Sequence, residues 1–352
     1  MAASLGLSQR ETGILDSIPE PVVIVDHQRA VVAVNRAAAR DLGVGYAGRP
    51  LALSLRHPVA LAAVDEVLSR GGSRSVEVTF RAPTQRTYSM LVAPLQAAPA
   101  AADGAILVFH DVTSERRAEQ MRADFVANAS HELRSPLSAI VGFIETLRGP
   151  AKDDAVARTR FLEVMAAEAA RMTKLVEDLL SLSAIEADEH LAPQGRVDLA
   201  GVLQRVAERL ETRAQDKNMR VRLDLPAELP AVAGDADQLA QVFRNLIENA
   251  IAYGRAGTDV RVGVSAVERS GEAVRAGVAV VIEDEGEGIA ADHIPRLTER
   301  FYRVDPGRSR KLGGTGLGLA IVKHILNRHR GRLTIGSELG RGSRFTVTLP
   351  AA

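Results

Sequence analysis

The sequence contains no cysteine, no long apolar run and no excess of charge of either sign. Without cysteine the chain can form neither disulfides nor a thiolate nucleophile, and every zinc site that needs a cysteine ligand is excluded. The most apolar stretches, 105–109 and 278–282, are far too short to cross a bilayer, and no basic region followed by an apolar run opens the chain. These absences predict a cytoplasmic chain without a membrane span, which would reach a membrane only through partner proteins.

The charge balance also argues against a nucleic-acid partner. The chain has 44 basic and 44 acidic residues, so no global field attracts nucleic acid or an acidic membrane surface, and no local basic patch stands out. With 352 residues, of which 46% are hydrophobic and 25% charged, the chain is typical of a soluble protein of two or three domains.

Changes in the hydrophobic period divide the chain into an N-terminal segment at 1–11 and domains at 12–113, 114–190 and 191–352. In the first domain, short β-branched runs such as PVVIVD and AVVAVN predict a small α+β fold with a helix near 58–68. In the last domain, strands alternate with helices near 199–216, 235–253 and 316–330, which predicts an α/β sandwich with helices on one face of a mixed sheet. Asp235 and Gln238 have the spacing of a capping box.

The domain at 114–190 reads as two helices joined at RGPAKDD. Each helix carries an apolar stripe that steps by three and four residues, from Leu133 to Leu147 and from Met165 to Leu179. A two-helix hairpin cannot bury such a stripe alone, so we expect a homodimer in which two hairpins form a four-helix bundle. The alternative is that the hairpin packs on the neighbouring domains.

The stretch SHELRSPL lies within the first of these helices and presents a histidine to solvent. At about 100° per residue, His131 lies about 160° from the centre of the apolar stripe, and Ser135 shares its outward face. Pro136 removes the backbone hydrogen bond to the carbonyl of Glu132, so we expect the helix to bend there. An exposed imidazole beside a carboxylate can act as a nucleophile, although a surface histidine without a role is the common alternative.

Three clusters in the last domain together predict an ATP site. NLIEN places the amides of Asn245 and Asn249 one helical turn apart, which suits a hydrated Mg²⁺ held against phosphate oxygens. DEGEG follows a strand and supplies Asp284 with flexible backbone. GGTGLGLAI is a glycine-rich turn that leads into a helix, where backbone N–H groups attract phosphate. The loop between the last two clusters is basic and is expected to close over the triphosphate as a lid, the alternative being a solvated loop; its cations are Arg303, Arg308, Arg310 and Lys311.

With these motifs the chain resembles the sensor histidine kinases of bacterial two-component systems over nearly its whole length. FVANASHELRSPLSAI resembles their phospho-acceptor box, and NLIENAIAY, DEGEG, ERFYRVD and GGTGLGLAI resemble their N, G1, F and G2 boxes in the same order. The N-terminal domain resembles a PAS sensor module, and SLRHP with ERFYRVD is similar to the phosphate-regulon sensor kinases in particular. The resemblance implies a PAS domain, a helical hairpin that dimerises into a four-helix bundle, and an α/β sandwich of the Bergerat or GHKL type that binds ATP and Mg²⁺.

The resemblance implies that His131 takes a phosphoryl group from ATP, with Glu132 as its acid–base partner, and passes it to an aspartate of a separate response regulator. Ser135 matches the position of a polar residue that helps to position water when the regulator is dephosphorylated. The resemblance implies Mg²⁺ and phosphate binding by Asn245 and Asn249. Further nucleotide contacts are implied for Tyr253, Asp284, Gly286, Gly288, Arg308, Arg310, Lys311, Gly314, Gly316, Leu317 and Gly318.

Two residues depart from the family pattern. Ala252 stands where many relatives have a lysine or another polar residue near the phosphates, so a lid cation is expected to supply that charge. Thr298 stands where the F box often begins with phenylalanine.

Other functions remain open at this point. An ATPase of the gyrase, chaperone and mismatch-repair type has a catalytic glutamate where this chain has Asn245, and Glu248 is expected on a different helix face. A scaffold without activity would show eroded boxes, and a sensor dominated by phosphatase activity is a further alternative. In the PAS domain the missing cysteine excludes a flavin of the cysteine-adduct type, and a lone His57 or His110 is more often structural than a haem ligand.

Overall fold

The computed structural model describes residues 9–44, 48–80, 85–95, 104–267 and 277–352, but not the side chains of Arg310 and Lys311. The chain forms two compact units, Met1–Val126 and Ala127–Ala352. No helix within the described ranges has the length and apolar character that a membrane crossing requires.

The first unit is built around an antiparallel sheet in the order β2-β1-β5-β4-β3. Its strands are β1 (Val22–Asp26), β2 (Val31–Val34), β3 (Arg74–Phe80), β4 (Arg86–Leu95) and β5 (Gly104–Asp111). The helices that precede residue 113 are α1 (Gln9–Ser17), α2 (Arg36–Asp41), α3 (Leu51–Ser54) and α4 (Pro58–Arg70). Helix α4 packs on β3, β4 and β5, where the apolar strand faces form the core. The strands predicted for this domain and the helix predicted near 58–68 are confirmed.

A buried asparagine ties the start of this unit to its sheet. The carbonyl oxygen of Asn35 accepts from the backbone N–H groups of Val22 and Ala38, and thereby caps α2. Its amide nitrogen donates to the backbone carbonyls of Leu15, Ile18 and Glu20. Because both polar atoms of this 1% exposed residue have partners, its burial stabilises the fold.

The hairpin consists of α5 (Thr113–Arg148) and α6 (Ala155–Ala187), as predicted. Asp154 begins α6 by accepting from two backbone N–H groups, and the rings of Phe143 and Phe161 pack across the hairpin with centroids 5.0 Å apart. Helix α5 continues through the buried Pro136, and the expected bend there stays a prediction.

Helix α6 has two apolar faces rather than the one predicted. Leu175, Leu182 and Ile185 are buried where α6 packs on the remainder of the second unit, which is the alternative that the sequence left open. Val176 and Leu180, on another face, stay exposed in the single chain. The hairpin can therefore pack on its neighbour and still present an apolar face elsewhere.

The rest of the second unit is a mixed sheet in the order β11-β12-β10-β9-β7, in which only the β7–β9 pair is parallel among the described strands. Its strands, with a separate pair formed by β6 and β8, are β6 (Arg196–Val197), β7 (Arg220–Asp224), β8 (Val232–Ala233), β9 (Asp259–Val267), β10 (Gly277–Asp284), β11 (Arg332–Glu338) and β12 (Gly342–Pro350). The helices are α7 (Leu199–Gln215), α8 (Ala236–Tyr253), α9 (Pro306–Lys311) and α10 (Gly318–Arg328). Helices α7, α8 and α10 pack on the sheet, which confirms the predicted sandwich.

The predicted capping box of α8 is only half correct. Asp235 accepts from the backbone N–H groups of Asp237 and Gln238, as the N-cap of α8 should. The backbone N–H of Asp235, however, donates to the ring nitrogen Nε2 of His329 at 3.0 Å, so Gln238 does not complete the box. His329, 94 residues away in the chain, thus accepts the hydrogen bond that the capping-box spacing assigned to the side chain of Gln238.

Candidate functional site

A cavity of about 280 Å³ lies between α8, the loop after β10, α9 and the glycine-rich turn before α10, and α6 of the hairpin also lines it. The predicted site residues in its wall are Asn245, Asn249, Tyr253, Asp284, Gly288, Arg308, Gly314, Gly316 and Gly318. The three sequence clusters therefore meet around one space.

Helix α8 brings its polar residues to this cavity on one side. The side-chain NH₂ of Asn245 donates to the carbonyl of Gly318 at 3.2 Å, so its amide oxygen is the atom left for a cation. Asn249 lines the cavity one turn later. The Tyr253 hydroxyl, one further turn along, lies 3.0 Å from the hydroxyl of Ser309 in α9.

Asp284 ends β10 as a buried acceptor at the cavity wall. Its carboxylate accepts from the backbone N–H of Gly286 at 2.8 Å, and burial raises the pKa of the Asp284 carboxyl above its ordinary value. Gly286 itself does not line the cavity; a Cβ there would lie 2.5 Å from the carbonyl oxygen of Tyr253. Glycine at this position thus allows α8 and the loop after β10 to approach closely.

The glycine-rich turn wraps the other side of the cavity. Gly316 has a φ of +75°, and a Cβ there would meet the backbone of Phe301 at 2.9 Å, so this position requires glycine on both counts. Leu317 is fully buried and its side chain lies in the core, so its predicted nucleotide contact is not a side-chain contact. Helix α10 begins at Gly318, and its first backbone N–H groups are the kind of donors that attract phosphate.

Helix α9 lies within the segment predicted to form a lid, and closure of that segment over a nucleotide stays a prediction. Arg308 lines the cavity and pairs with Glu287, which raises the pKa of the Arg308 guanidinium. The side chains of Arg310 and Lys311 lie outside the described residues, so their predicted contacts stay predictions.

The part of α5 that contains His131 is linked to the cavity through Glu132. His131 and Ser135 are exposed, as predicted, whereas Glu132 is only 17% exposed and pairs with Arg171 at 2.9 Å and Arg303 at 3.0 Å. Arg303, which is 5% exposed, lines the cavity and also donates to the carbonyl of Thr315 at 2.8 Å. An ion pair therefore joins Glu132, the neighbour of His131, to Arg303 in the cavity wall.

Sequence reasoning missed the residues that α6 contributes. Lys174 and Asp178 both line the cavity. Asp178 is 7% exposed, accepts from the hydroxyl of Thr315 at 2.7 Å, and has its pKa raised by burial. Lys174 and Asp178 are four residues apart, a spacing found on every face of every helix. Thr315, the partner of Asp178, lies 137 residues away in the chain. No local sequence pattern therefore indicates that α6 contributes to the cavity.

Glu248 lies about 100° around α8 from Asn249, as expected of neighbouring helical residues, and it nevertheless lines the same cavity. It is not available as a base for water, however, because it pairs with Lys174 at 2.9 Å and with Arg213 at 3.3 Å.

The polar groups of the cavity fit a magnesium nucleotide. Within the described ranges no group of three or more His, Cys, Asp or Glu residues could hold a metal ion by itself. Amide oxygens from Asn245 and Asn249 are hard ligands of the kind that Mg²⁺ accepts when phosphate oxygens and water complete its shell.

Three family models match this chain. A model described as "Histidine kinase-, DNA gyrase B-, and HSP90-like ATPase" matches residues 234–352, and the "His Kinase A (phospho-acceptor) domain" matches residues 121–188. A "PAS fold" model matches residues 15–117. The three matches follow one another along the chain in the order that the motifs predict.

Curated relatives and a solved structure agree with these matches. The "Phosphate regulon sensor protein PhoR" of Pseudomonas aeruginosa is 41% identical over 243 residues, which are 68% of this chain and 53% of that protein. The "Sensor-like histidine kinase SenX3" of Mycolicibacterium smegmatis is 38% identical over 246 residues, 70% of this chain and 62% of that protein. The chain thus spans between half and two thirds of these relatives' length.

The structure of the histidine kinase ThkA, solved in complex with the response regulator protein TrrA, resembles this fold with a TM-score of 0.52. The two chains are 19% identical, and the match covers 98% of this chain and 99% of the other. That structure shows a shared fold, and the three matched domains together with the likeness to the two curated relatives show that the chain belongs to the PAS-containing sensor histidine kinases.

Proposed function

We propose that this protein is a kinase that transfers the γ-phosphoryl group of ATP to His131 and then to an aspartate of a separate response regulator. The observation that carries the proposal is the bond between Glu132, the neighbour of His131, and Arg303 of the cavity wall. Helix α5 thus presents the exposed imidazole of His131 and, through this ion pair, also contacts the cavity that suits a nucleotide.

The chemistry follows from the residues in place. One ring nitrogen of His131 attacks the γ-phosphorus, and the bond from that phosphorus to the bridging oxygen breaks as ADP leaves. Glu132 accepts or orients the proton on the other ring nitrogen. Asp284 accepts from the adenine amino group, Arg308 contacts the nucleotide from α9, and the side chains of Asn245 and Asn249 hold the phosphates. Mg²⁺, when bound to the two asparagines, would neutralise phosphate charge.

The proposal extends to partners that the ThkA complex and the hairpin suggest. A response regulator would dock on the hairpin near His131, and Ser135 would position water when the regulator is dephosphorylated. A second copy of the chain would cover the exposed apolar side chains of Leu137, Val176 and Leu180 in a four-helix bundle. Likeness to PhoR supports a role in phosphate-dependent signalling.

We further propose the division into a sensor domain at 12–113, a phosphotransfer hairpin at 114–190 and an ATP-binding domain at 191–352. The family models that match 15–117, 121–188 and 234–352 support this order of three domains, in each of which one function would reside.

An ATPase of the gyrase type is the second candidate, since its family model is the same. Asn245 replaces the glutamate of those enzymes, and Glu248 is held by two cations. Loss of a general base costs roughly 10² to 10⁴-fold in rate, so the cavity favours transfer to a ready nucleophile over hydrolysis.

Incubation with ATP labelled on the γ-phosphate separates the two candidates. Wild-type protein should gain acid-labile, base-stable label, and His131→Gln should gain none, whereas the matched variant His190→Gln of another exposed histidine should label normally. Release of free phosphate without labelled protein would overturn the kinase proposal in favour of the ATPase. Label that survives in His131→Gln would refute the choice of nucleophile.

A further inference from the structure

The helix that supplies Asn245 and Asn249, α8, places no cation in the cavity wall. Its last turn contains Ala252, and the ammonium group beside that residue, that of Lys217, is engaged by backbone carbonyls. Its Nζ donates to the carbonyl oxygens of Ala252 at 2.6 Å and Ile251 at 2.8 Å, at the end of α8. Lys217 does not line the cavity, so positive charge for the phosphates must come from another element.

Three cations with described side chains line the cavity, namely Lys174, Arg303 and Arg308. Arg308 lies beside Glu287 in the loop that follows Asp284, which places it towards the end of the cavity assigned to adenine. Arg303 is held by Glu132 and by the carbonyl of Thr315. Lys174, in contrast, reaches the cavity beside Glu248, next to Asn249 at the end assigned to the phosphates.

The position of Lys174 is maintained by the contact one turn further along α6. There Asp178 accepts from the Thr315 hydroxyl in the glycine-rich turn, and both residues are at least nine-tenths buried. Residues four apart lie on the same face of a helix, so this bond turns Lys174 towards the same cavity. The Lys174 side chain is 41% exposed and flexible, and its ammonium group can reorient.

Releasing Lys174 from its present partner leaves no buried charge unpaired. Glu248 also pairs with Arg213 of α7, at 3.3 Å, and that ion pair does not depend on the hairpin. Burial of an unpaired carboxylate would be costly, and the second cation removes that cost. Lys174 can therefore exchange a carboxylate oxygen for a phosphate oxygen without a compensating change elsewhere.

We propose that Lys174 binds the terminal phosphates of ATP, so that the hairpin itself completes the nucleotide site. The inference rests on the ATP binding proposed above and assigns to α6 the cation that α8 lacks. Because Lys174 belongs to the hairpin, affinity for the triphosphate depends on contact between the hairpin and the ATP-binding domain. Nucleotides with fewer phosphates depend on this contact less.

Calorimetric titration of the full-length chain with Mg²⁺ and ATP, ADP or AMP tests the proposal. Lys174→Gln should weaken ATP binding about tenfold or more, the loss expected for one charge-assisted hydrogen bond, and should leave AMP binding unchanged. Lys174→Arg should restore most of the affinity. The matched control Lys323→Gln removes an exposed lysine of α10 that does not line the cavity and should bind ATP as wild type does.

A second variant separates phosphate binding from a purely structural ion pair. Glu248→Gln breaks the same ion pair but frees Lys174, so ATP affinity should stay equal or rise. If the ion pair had only a structural role, Glu248→Gln and Lys174→Gln would weaken ATP binding to a similar extent. Equal ATP affinity in wild type and Lys174→Gln, or equal loss for ATP and AMP, would overturn the inference and leave the kinase proposal standing. Wild-type protein that binds no ATP would overturn both.

Discussion

At the scale of single residues, the second unit depends on a buried histidine that no motif contains. His329 is 3% exposed; its Nδ1 donates to the carbonyl of Ile325 at 2.8 Å and its Nε2 accepts from the backbone N–H of Asp235. The imidazole must be neutral to do both, and burial lowers the pKa of His329 below its ordinary value. The ring thereby joins the end of α10 to the start of α8, which carries the two asparagines of the cavity.

This arrangement predicts that acid destabilises the second unit. In the unfolded chain His329 binds a proton below about pH 6.5, whereas the native ring resists protonation to a lower pH. The unfolded state therefore binds more protons in that window, and the free energy of unfolding falls as pH drops from about 6.5 towards the lowered pKa. Denaturant unfolding at pH 7.5 and pH 5 measures the change.

His329→Gln should reduce this pH dependence even if it lowers stability at both pH values, because glutamine does not titrate. The exposed His190→Gln serves as the control and should keep the wild-type dependence. A pH dependence that is identical in His329→Gln and wild type would contradict the assignment to this ring.

At the scale of elements, α8 is the helix on which the site depends, and both of its ends are held by distant residues. His329 contacts its start, and Lys217 donates to the carbonyls of Ile251, Ala252 and Gly254 at its end. Burial lowers the pKa of Lys217, yet an ammonium group suits this position because a helix C-terminus carries partial negative charge. The two contacts set where Asn245, Asn249 and Tyr253 stand.

We expect Lys217→Met, which keeps the apolar stem and removes the donors, to lower the free energy of unfolding of the second unit by about 1–2 kcal/mol. ATP affinity should fall as well, because Tyr253 lies in the last turn of α8. Lys217→Arg should recover part of both losses, and Lys323→Met on the exposed face of α10 should change neither. Urea unfolding and nucleotide titration would record the changes, and wild-type values for Lys217→Met would contradict this account.

At the scale of the whole molecule, the chain has two compact units, each with its own buried core. The first unit contains a sheet core and the Asn35 network, and the second contains the cavity. Units that each bury their own apolar surface can unfold in separate transitions. A ligand that binds only one native unit stabilises only that unit.

Scanning calorimetry should therefore show two transitions, and ATP with Mg²⁺ should raise only the one that belongs to the second unit. At 100 times the dissociation constant the stabilisation is about 2.7 kcal/mol, or roughly 5–10 °C for a unit of this size. Asn35→Ala identifies the other transition, which it should lower without moving the ATP-sensitive one. A single transition, or an ATP shift of both, would show that the two units are coupled.

Much of this protein could be predicted from the order of its residues alone. Strands and helices follow from apolar periods of two and of three to four, and those periods survive in the folded chain because each element buries one face. The clusters at Asn245, Asp284 and Gly314 indicate a nucleotide cavity because each is a short stretch whose chemistry is complete within a few residues. The outward position of His131 follows from helix geometry in the same way.

Other features were decided only when distant segments came together. The contacts of Glu132 with Arg303, Asp178 with Thr315 and His329 with Asp235 join residues 171, 137 and 94 positions apart, and no pattern within either segment indicates its partner in the other. Tertiary structure also turned Glu248 and Lys174 towards the cavity, because the docking of α6 determines which helix faces are enclosed. Local periodicity determines which way a side chain points from its own element, but only packing determines what it meets there.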